Sequence, residues 1–343
     1  MVDITVRGAG VFGLSIAWAC VLRGARVQVI DPFGPAAGSS GGLVGALAPH
    51  VPENWNAKKA FQLESLLMAE GFWTEVVDAG GADPGYRRSG RTQPVADASA
   101  LDLARARGAS AETLWQGRAS WSILPQPEDG WTPPSPSGWV IHDTLSAHLH
   151  PRQACAALVA ALRAKGFEVE TEGPERGRVL WATGIAGLEA LNGENTRLVG
   201  SGIKGQAALF AFDARGKPQL FTDALHVIPH ADGTVAIGST SERDFTSGNT
   251  TDAQLDALIE KARHLVPALK DAPVIDRWAG VRPRSRSRAP MLGAWPGRAG
   301  HYIANGGFKI GFGMAPRIAQ VMADLLLEDR DGIPQGFEVA ASF

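Results

Sequence analysis

Gly8, Gly10 and Gly13 stand at the spacing G-x-G-x-x-G, and Asp31 follows them at the end of a second apolar run. Residues of these types in this pattern bind a dinucleotide. The first glycine permits a tight turn, the second lets backbone approach a pyrophosphate, and the third lets a helix pack closely on a strand. The start of that helix directs unpaired N–H groups and a positive dipole end at the phosphates. A carboxylate about twenty residues further on suits a ribose hydroxyl, and Asp31 holds that place. The flanks agree: Ile4-Thr5-Val6 precedes the glycines, a helix is expected over Leu14 to Arg23, and Val27-Gln28-Val29-Ile30 forms the second strand. Strand, glycines, helix, strand and acid occurring in order point to a nucleotide cofactor, which this unit alone leaves as NAD or FAD.

Other chemically capable residues are less grouped. Cys20 and Cys155 fall in two predicted amphipathic helices with neither a CxxC pair nor nearby histidines, so reduced core thiols and no metal site are expected. Arg282, Arg284, Arg286 and Arg288 alternate along one short stretch. They read either as a solvated basic loop or as a contact for a second anionic group on a substrate, such as a side-chain carboxylate or phosphate. Arg7, just before the first glycine, is placed to pair with a carboxylate or the diphosphate. The net charge of -2 gives no electrostatic reason to expect nucleic acid or an anionic membrane as partner. No apolar run approaches the roughly twenty residues of a membrane helix, and Met1 lies too near the first strand for a signal peptide. A cytoplasmic protein is expected.

The elements that must position these residues follow from the rest of the chain, whose 343 residues exceed an average single domain. A small-residue loop spans Gly34 to Pro49. A helix from about Asn56 to Ala79 carries Phe61, Leu66, Phe72, Trp73 and Val77 on a broad apolar face. Residues 80–138, rich in Pro, Gly and Trp, read as an inserted lobe of short strands and loops with a short helix near Ala98 to Arg107. A helix resumes at Pro151, a favourable first-turn residue, and runs to Gly166; strands Phe167 to Thr171 and Arg178 to Ala182 return to the nucleotide sheet. Short apolar runs, Ala207 to Phe212, Leu225 to Ile228 and Thr234 to Ile237, alternate with turn residues in the manner of an antiparallel sheet. Helix Asp252 to Leu265, strand Val274 to Val281, strand Tyr302 to Ala304 and helix Phe312 to Leu327 complete the order. The class is α/β, with a nucleotide domain drawn from residues 1–79, 139–196 and 282–343 and an interleaved mixed or antiparallel sheet domain for substrate from 80–138 and 197–281.

Five segments in this order resemble the D-amino-acid oxidase superfamily of FAD enzymes, most of all its glycine oxidase and sarcosine oxidase branches. The opening unit is the first. The second, Gly38-Ser39-Ser40-Gly41-Gly42-Leu43-Val44-Gly45-Ala46-Leu47-Ala48-Pro49, is similar to the family loop along the pyrophosphate, ribityl chain and flavin. Small side chains there admit a flat ring, while hydroxyl and N–H groups bond a diphosphate. Val179-Leu180-Trp181-Ala182-Thr183-Gly184 is similar to a strand ending in Ala-Thr-Gly beside the cofactor. Lys204-Gly205-Gln206, His226-Val227-Ile228-Pro229 and Ile237-Gly238-Ser239-Thr240 resemble sheet strands over the flavin face. The fifth segment joins Trp278-Ala279-Gly280-Val281-Arg282-Pro283 to Asn305-Gly306-Gly307-Phe308-Lys309-Ile310-Gly311 before the last helix. The resemblance implies a Rossmann-like FAD domain of the glutathione-reductase type. Its FAD would be held by Gly8, Gly10, Val11, Phe12, Gly13, Asp31, Pro32, Ser39, Ser40, Gly42, Ala46, Leu47, Ala182, Thr183, Gly184, Gly306, Gly307, Phe308, Lys309 and Ile310.

The same resemblance implies oxidation of the C–N bond of a small amino acid or secondary amine. Hydride would pass to flavin N5, the imine would hydrolyse, and O2, giving H2O2, or another acceptor would take the electrons. Arg282 and Lys309 match basic residues that hold the substrate carboxylate, a charge-assisted contact that fixes orientation. The glycines before the last helix would bring N–H groups to the flavin pyrimidine oxygen. His226 stands where many glycine oxidase-like sequences have tyrosine, either lining the substrate cavity or serving structure. No cysteine near Met291 to Trp295 matches the covalent attachment of sarcosine oxidases, so noncovalent FAD is expected. Thr171 to Gly177 is shorter than the family's meander, which leaves no adenine contact to carry over. Two other readings share the fold: an oxidase of a modified tRNA nucleoside, against which the near-neutral charge counts, and an FAD-binding subunit of a hetero-oligomeric amine dehydrogenase. A homo-oligomer is compatible with all of them.

Overall fold

The computed structural model describes residues 2–343. Its six-stranded sheet runs in the order Met291–Ala294, His301–Asn305, Arg178–Trp181, Ile4–Arg7, Val27–Ile30, Val169–Glu170. Ile4–Arg7 is central and pairs in parallel with both neighbours, Ile4 opposite Val27 on one side and Arg178 on the other. Parallel neighbours need crossover connections, here helices that cover the sheet faces. Helix Val11–Leu22 is apolar almost all round because it is buried between that sheet and helix Gly311–Glu328. Asn56 caps helix Ala57–Gly80 by accepting from the Lys59 N–H, and Gly81, at φ 73, ends it. Pro151 opens helix Pro151–Ala164 in its first turn.

The second sheet has eight strands in the order Val274–Ser285, Gly200–Phe210, Val235–Gly238, Leu225–Pro229, Gln219–Thr222, Arg91–Pro94, Trp139–Asp143, Trp121–Pro125. All pairs are antiparallel except Gln219–Thr222 with Arg91–Pro94, so the sheet is mixed. A short two-stranded pair, Ala46–Leu47 with Ala147–His148, joins the small-residue loop to the start of helix Pro151–Ala164. Among the described residues no helix is long and apolar enough to cross a membrane.

Several expectations are corrected here. The stretch from Arg282 to Ser285 is no loop: it continues the long strand, with Arg282 opposite Ile203 and Arg284 opposite Ser201. Backbone pairing with Gly200–Phe210 overrides the loop-like composition of charge and proline. The borders at 139 and 282 therefore fall inside the second sheet, at the start of Trp139–Asp143 and within Val274–Ser285. The helix near Ala98 extends to Trp115, capped by Asp97 and anchored by buried Ala104, Ala111 and Trp115. Helix Gly184–Gly193 was not anticipated; it starts on the glycine expected only to end a strand.

Candidate active site

A cavity of about 860 Å³ opens between the two sheets, within the usual size for a cofactor site. Its first wall is the turn between Ile4–Arg7 and Val11–Leu22. Gly8 has φ +102, and a Cβ there would stand 2.4 Å from the Ala182 carbonyl oxygen. At Gly13 a Cβ would lie 1.9 Å from the Gly8 carbonyl oxygen, so this glycine serves helix-on-strand packing and does not line the cavity. Gly10 differs: its Cβ would meet only the Ser40 side chain, with Oγ at 3.1 Å, and the space it leaves belongs to the cavity. Ser40 Oγ accepts from the Val11 N–H at 3.0 Å, tying the small-residue loop to the helix start.

Asp31 lines the same end, and its carboxylate is oriented by the backbone: Oδ2 accepts from the Ala9 N–H at 2.8 Å and Oδ1 from the Phe33 N–H at 3.0 Å. Arg7 is accounted for by Glu175, 3.1 Å away, and by the Trp181 ring, 5.9 Å from its guanidinium carbon. At the far end Gly307 faces the Phe12 ring, which a Cβ would approach to 2.8 Å, and Gly42 faces Trp278, at 3.3 Å from its would-be Cβ. Asn305 links two turns here, donating to the Gly184 carbonyl at 2.7 Å and accepting from the Gly306 N–H at 2.7 Å. A long slot with a helix N-terminus at its phosphate end and glycine-bare walls fits FAD, whose diphosphate needs N–H donors and whose ring needs a flat opening.

Most expected contacts line this cavity: Gly8, Gly10, Val11, Phe12, Asp31, Pro32, Ser39, Ser40, Gly42, Ala46, Ala182, Thr183, Gly184, Gly306, Gly307, Phe308 and Lys309, together with Arg282 and His226. Leu47 and Ile310 do not. The Leu47 side chain is fully buried in the core, and Ile310 precedes the last helix and packs against that same core. Phe33, Ile185 and Phe312 line the cavity without having been marked from the sequence. Phe33 is 84% exposed, and an isolated aromatic after Asp31-Pro32 was the only signal for it.

The end of the cavity beside Arg282 and Lys309 is cationic. Arg282 is buried on the long strand, donating from Nη1 to Ser239 Oγ at 2.5 Å and from Nη2 to the Thr240 and Lys204 carbonyls at 2.7 and 3.2 Å. Its Nε is buried without a partner. Gly205 makes room for the guanidinium, whose Cζ would lie 2.5 Å from a Cβ at that position. Burial pushes the Arg282 pKa down to about 10, with Glu242 acting in the other direction. Arg282, Arg284 and Lys309 gather round one ring, their charges 5.4, 5.4 and 5.8 Å from the Phe308 centroid. Burial, then the Arg282 charge, holds the Lys309 amine below the ordinary lysine range. His226 packs tilted against Phe221 with ring centroids 4.6 Å apart, and burial, Arg91 and Lys309 push its pKa down to about 3, so the ring is neutral. The nearby acids are committed elsewhere: Asp143 to Arg91 at 3.1 Å and Glu242 to Lys204 at 3.3 Å. This end of the cavity is therefore built to receive an anion.

Residues 3–325 match the family model described as FAD dependent oxidoreductase, DAO. The chain is 26% identical over 353 residues to the bifunctional protein ThiO/ThiG of Trichormus variabilis, an alignment covering 96% of this chain and 53% of that protein. The chain thus spans about half the length of the bifunctional relatives it matches. It is 23% identical over 350 residues to the glycine oxidase of Geobacillus kaustophilus, with 94% of this chain and 92% of that protein covered. The crystal structure of iminodiacetate oxidase from Chelativorans sp. superposes with a TM-score of 0.83 at 18% identity, covering 97% of each chain. The glycine-lined slot, the expected motifs on its walls and a family match over nearly the whole chain agree: this protein is a member of the D-amino-acid oxidase family of FAD-dependent oxidoreductases.

Proposed function

We propose that this chain is a cytoplasmic enzyme that oxidises the C–N bond of a small amino acid or secondary amine bearing a carboxylate, with FAD held noncovalently. The observation that carries this reading is the placement of Arg282 and Lys309 on the wall of the cofactor cavity with no acid spent on either, beside a slot that fits the cofactor. FAD, when bound, supplies the two-electron acceptor. Lys309 and Arg282 hold the carboxylate, which fixes the α-carbon against the cofactor slot. His226 stays neutral and borders the substrate without adding charge. No strong side-chain base is required, because the amine enters neutral and positioning does most of the work. Relatives named glycine oxidase and iminodiacetate oxidase support the substrate class, and the burial of Cys20 and Cys155 away from the cavity supports noncovalent binding. Electrons then pass to O2, releasing H2O2.

The test is anaerobic mixing of the purified yellow protein with glycine, N-methyl amino acids and iminodiacetate, following flavin absorbance. Bleaching by at least one of these is expected, with oxygen uptake when air is admitted. A colourless preparation that does not take up added FAD, or a yellow one that none of them bleaches, refutes the reading.

A further inference from the structure

Away from the substrate end, the start of helix Pro151–Ala164 meets the hairpin between strands Leu225–Pro229 and Val235–Gly238. Here two histidine rings lie with centroids 4.5 Å apart, His150 and His230, and Asp232 sits beside them on the hairpin tip. One ring nitrogen from each histidine and one carboxylate oxygen fall within 4.8 Å of one another. Both rings are more than nine-tenths buried, at 7% and 0% exposed, and each carries a buried nitrogen with no hydrogen-bond partner: Nδ1 of His150 and Nε2 of His230.

Hydrogen bonding settles the protonation of His230. The Thr234 hydroxyl donates to Asp232 Oδ1 at 2.6 Å, so its single proton is spent. Its contact with His230 Nδ1 at 3.1 Å must then run from the ring N–H to the hydroxyl oxygen. With the ring neutral, the proton is on Nδ1 and the lone pair is on buried, unpartnered Nε2. Asp232 Oδ1 accepts from both the Thr234 hydroxyl and the Thr234 N–H, while Gln153 Nε2 donates to Oδ2 at 2.9 Å, which leaves a lone pair free on Oδ2. A lone pair buried without a hydrogen-bond donor is costly.

The geometry points to a divalent transition-metal site of the zinc class, with His150 Nδ1, His230 Nε2 and the Asp232 carboxylate as ligands. Imidazole and carboxylate suit such ions, and three protein ligands leave a position for water on the side where Asp232 is exposed. Ligands about 2 Å from a common ion stand about 3–4 Å apart, so modest side-chain rotation closes the present span. The chain from His230 through Thr234 to Asp232 is the outer-shell support that orients a metal-bound histidine. An ion here would tie the helix that leads into the nucleotide sheet to a hairpin of the second sheet.

The test is calorimetric titration of the tag-free, chelator-treated FAD-loaded protein with zinc chloride. Wild type should bind one equivalent per chain at micromolar or tighter affinity, with an unfolding midpoint that rises with zinc concentration. His230→Gln should abolish that binding. Thr234→Val should weaken it by about 10–100-fold, as loss of an outer-shell partner does. Asp232→Asn, at an exposed hairpin tip, keeps the test decisive should the buried histidine variant not fold, and is expected to weaken zinc at least about 10-fold. Wild type that binds no zinc below about 100 μM, or Asp232→Asn and Thr234→Val proteins that bind zinc as tightly as wild type, overturns the assignment.

Discussion

The three glycines of the opening turn look alike in sequence, but the structure assigns them different work, and alanine at each position separates cofactor binding from folding. At Gly13 a Cβ would sit 1.9 Å from a backbone oxygen that cannot rotate away, so the helix itself must move. Overpacking of this kind costs about 3 kcal/mol. At Gly8 alanine meets the Ala182 carbonyl at 2.4 Å and inherits φ +102, adding about 1–2 kcal/mol of backbone strain to a similar clash. Gly10 takes alanine against a movable Ser40 hydroxyl at 3.1 Å with φ -80, at the position preceding the helix, where the loss of glycine costs about 0.5–1 kcal/mol. A chain of 343 residues has an unfolding entropy near 0.7 kcal/mol/K, so each kcal/mol moves the midpoint by about 1.4 °C. Thermal unfolding of the apoproteins should therefore drop by about 4 °C for Gly13→Ala, by at least that for Gly8→Ala, and by about 1 °C for Gly10→Ala. FAD titration should invert the order of interest. Gly10→Ala fills the space where the diphosphate must approach, losing one or two charge-assisted hydrogen bonds and about 10–100-fold in affinity on a nearly intact fold. If Gly10→Ala melts the apoprotein as far as Gly13→Ala does, or Gly13→Ala unfolds within a degree of wild type, the division of labour is wrong.

Lys309→Met should raise KM for a carboxylate substrate about 10-fold with a much smaller effect on kcat, since the contact is present before and during reaction. Because burial and Arg282 depress the Lys309 pKa, the amine loses its charge as pH rises and KM in wild type should climb before pH 10.5 is reached; Lys309→Arg should move that rise to higher pH. His226 is neutral from about pH 3 upward, so His226→Asn should alter kcat/KM without changing the shape of the pH profile between about 5 and 8; a limb near pH 6 that disappears in the variant would contradict this. Asp252 caps helix Ala253–Leu265, and its hydrogen bonds from Gln206, the Gln254 N–H and Lys204 lower its pKa to about 2. Its contribution to stability is present above the ordinary value of 3.8 and fades as pH falls toward 2. Asp252→Asn should flatten that acid limb in unfolding midpoints measured from about pH 5 to pH 2.

What the sequence makes legible divides by the range of the interactions concerned. The turn from Gly8 to Gly13 is readable because its constraints are local: a positive φ, a carbonyl one helical turn away, a carboxylate at the next strand end. Arg282 and Lys309 come together as expected, yet the company they keep is not written nearby. Arg284 joins them round Phe308 only because Val274–Ser285 continues as a strand through a run of arginines and a proline. That run has loop composition, and only its partner Gly200–Phe210, far away in sequence, makes it extended. Helix Gly184–Gly193 is hidden for the opposite reason, since glycines at both ends and at Gly187 give it poor intrinsic propensity. Gly187 is needed there, since a Cβ would stand 2.5 Å from Thr183 Oγ1 and 2.8 Å from Asn305 Nδ2. The pairing of His150 with His230 is likewise invisible until a helix start and a hairpin are brought together in space.

The order of strands in the six-stranded sheet sets a timetable for the newborn polypeptide. Ile4–Arg7 finds Val27–Ile30 almost at once, but its other neighbour is Arg178–Trp181, and the strand beyond that is His301–Asn305. Phe12 likewise waits for Gly307 before its ring has the wall it faces in the finished slot. During synthesis the early strands must remain in solution with an unpaired edge, a state prone to wrong partners. Flavin capture then comes last, so a chain that turns yellow has already been translated through residue 307, and colour in the cell reports completion as well as folding.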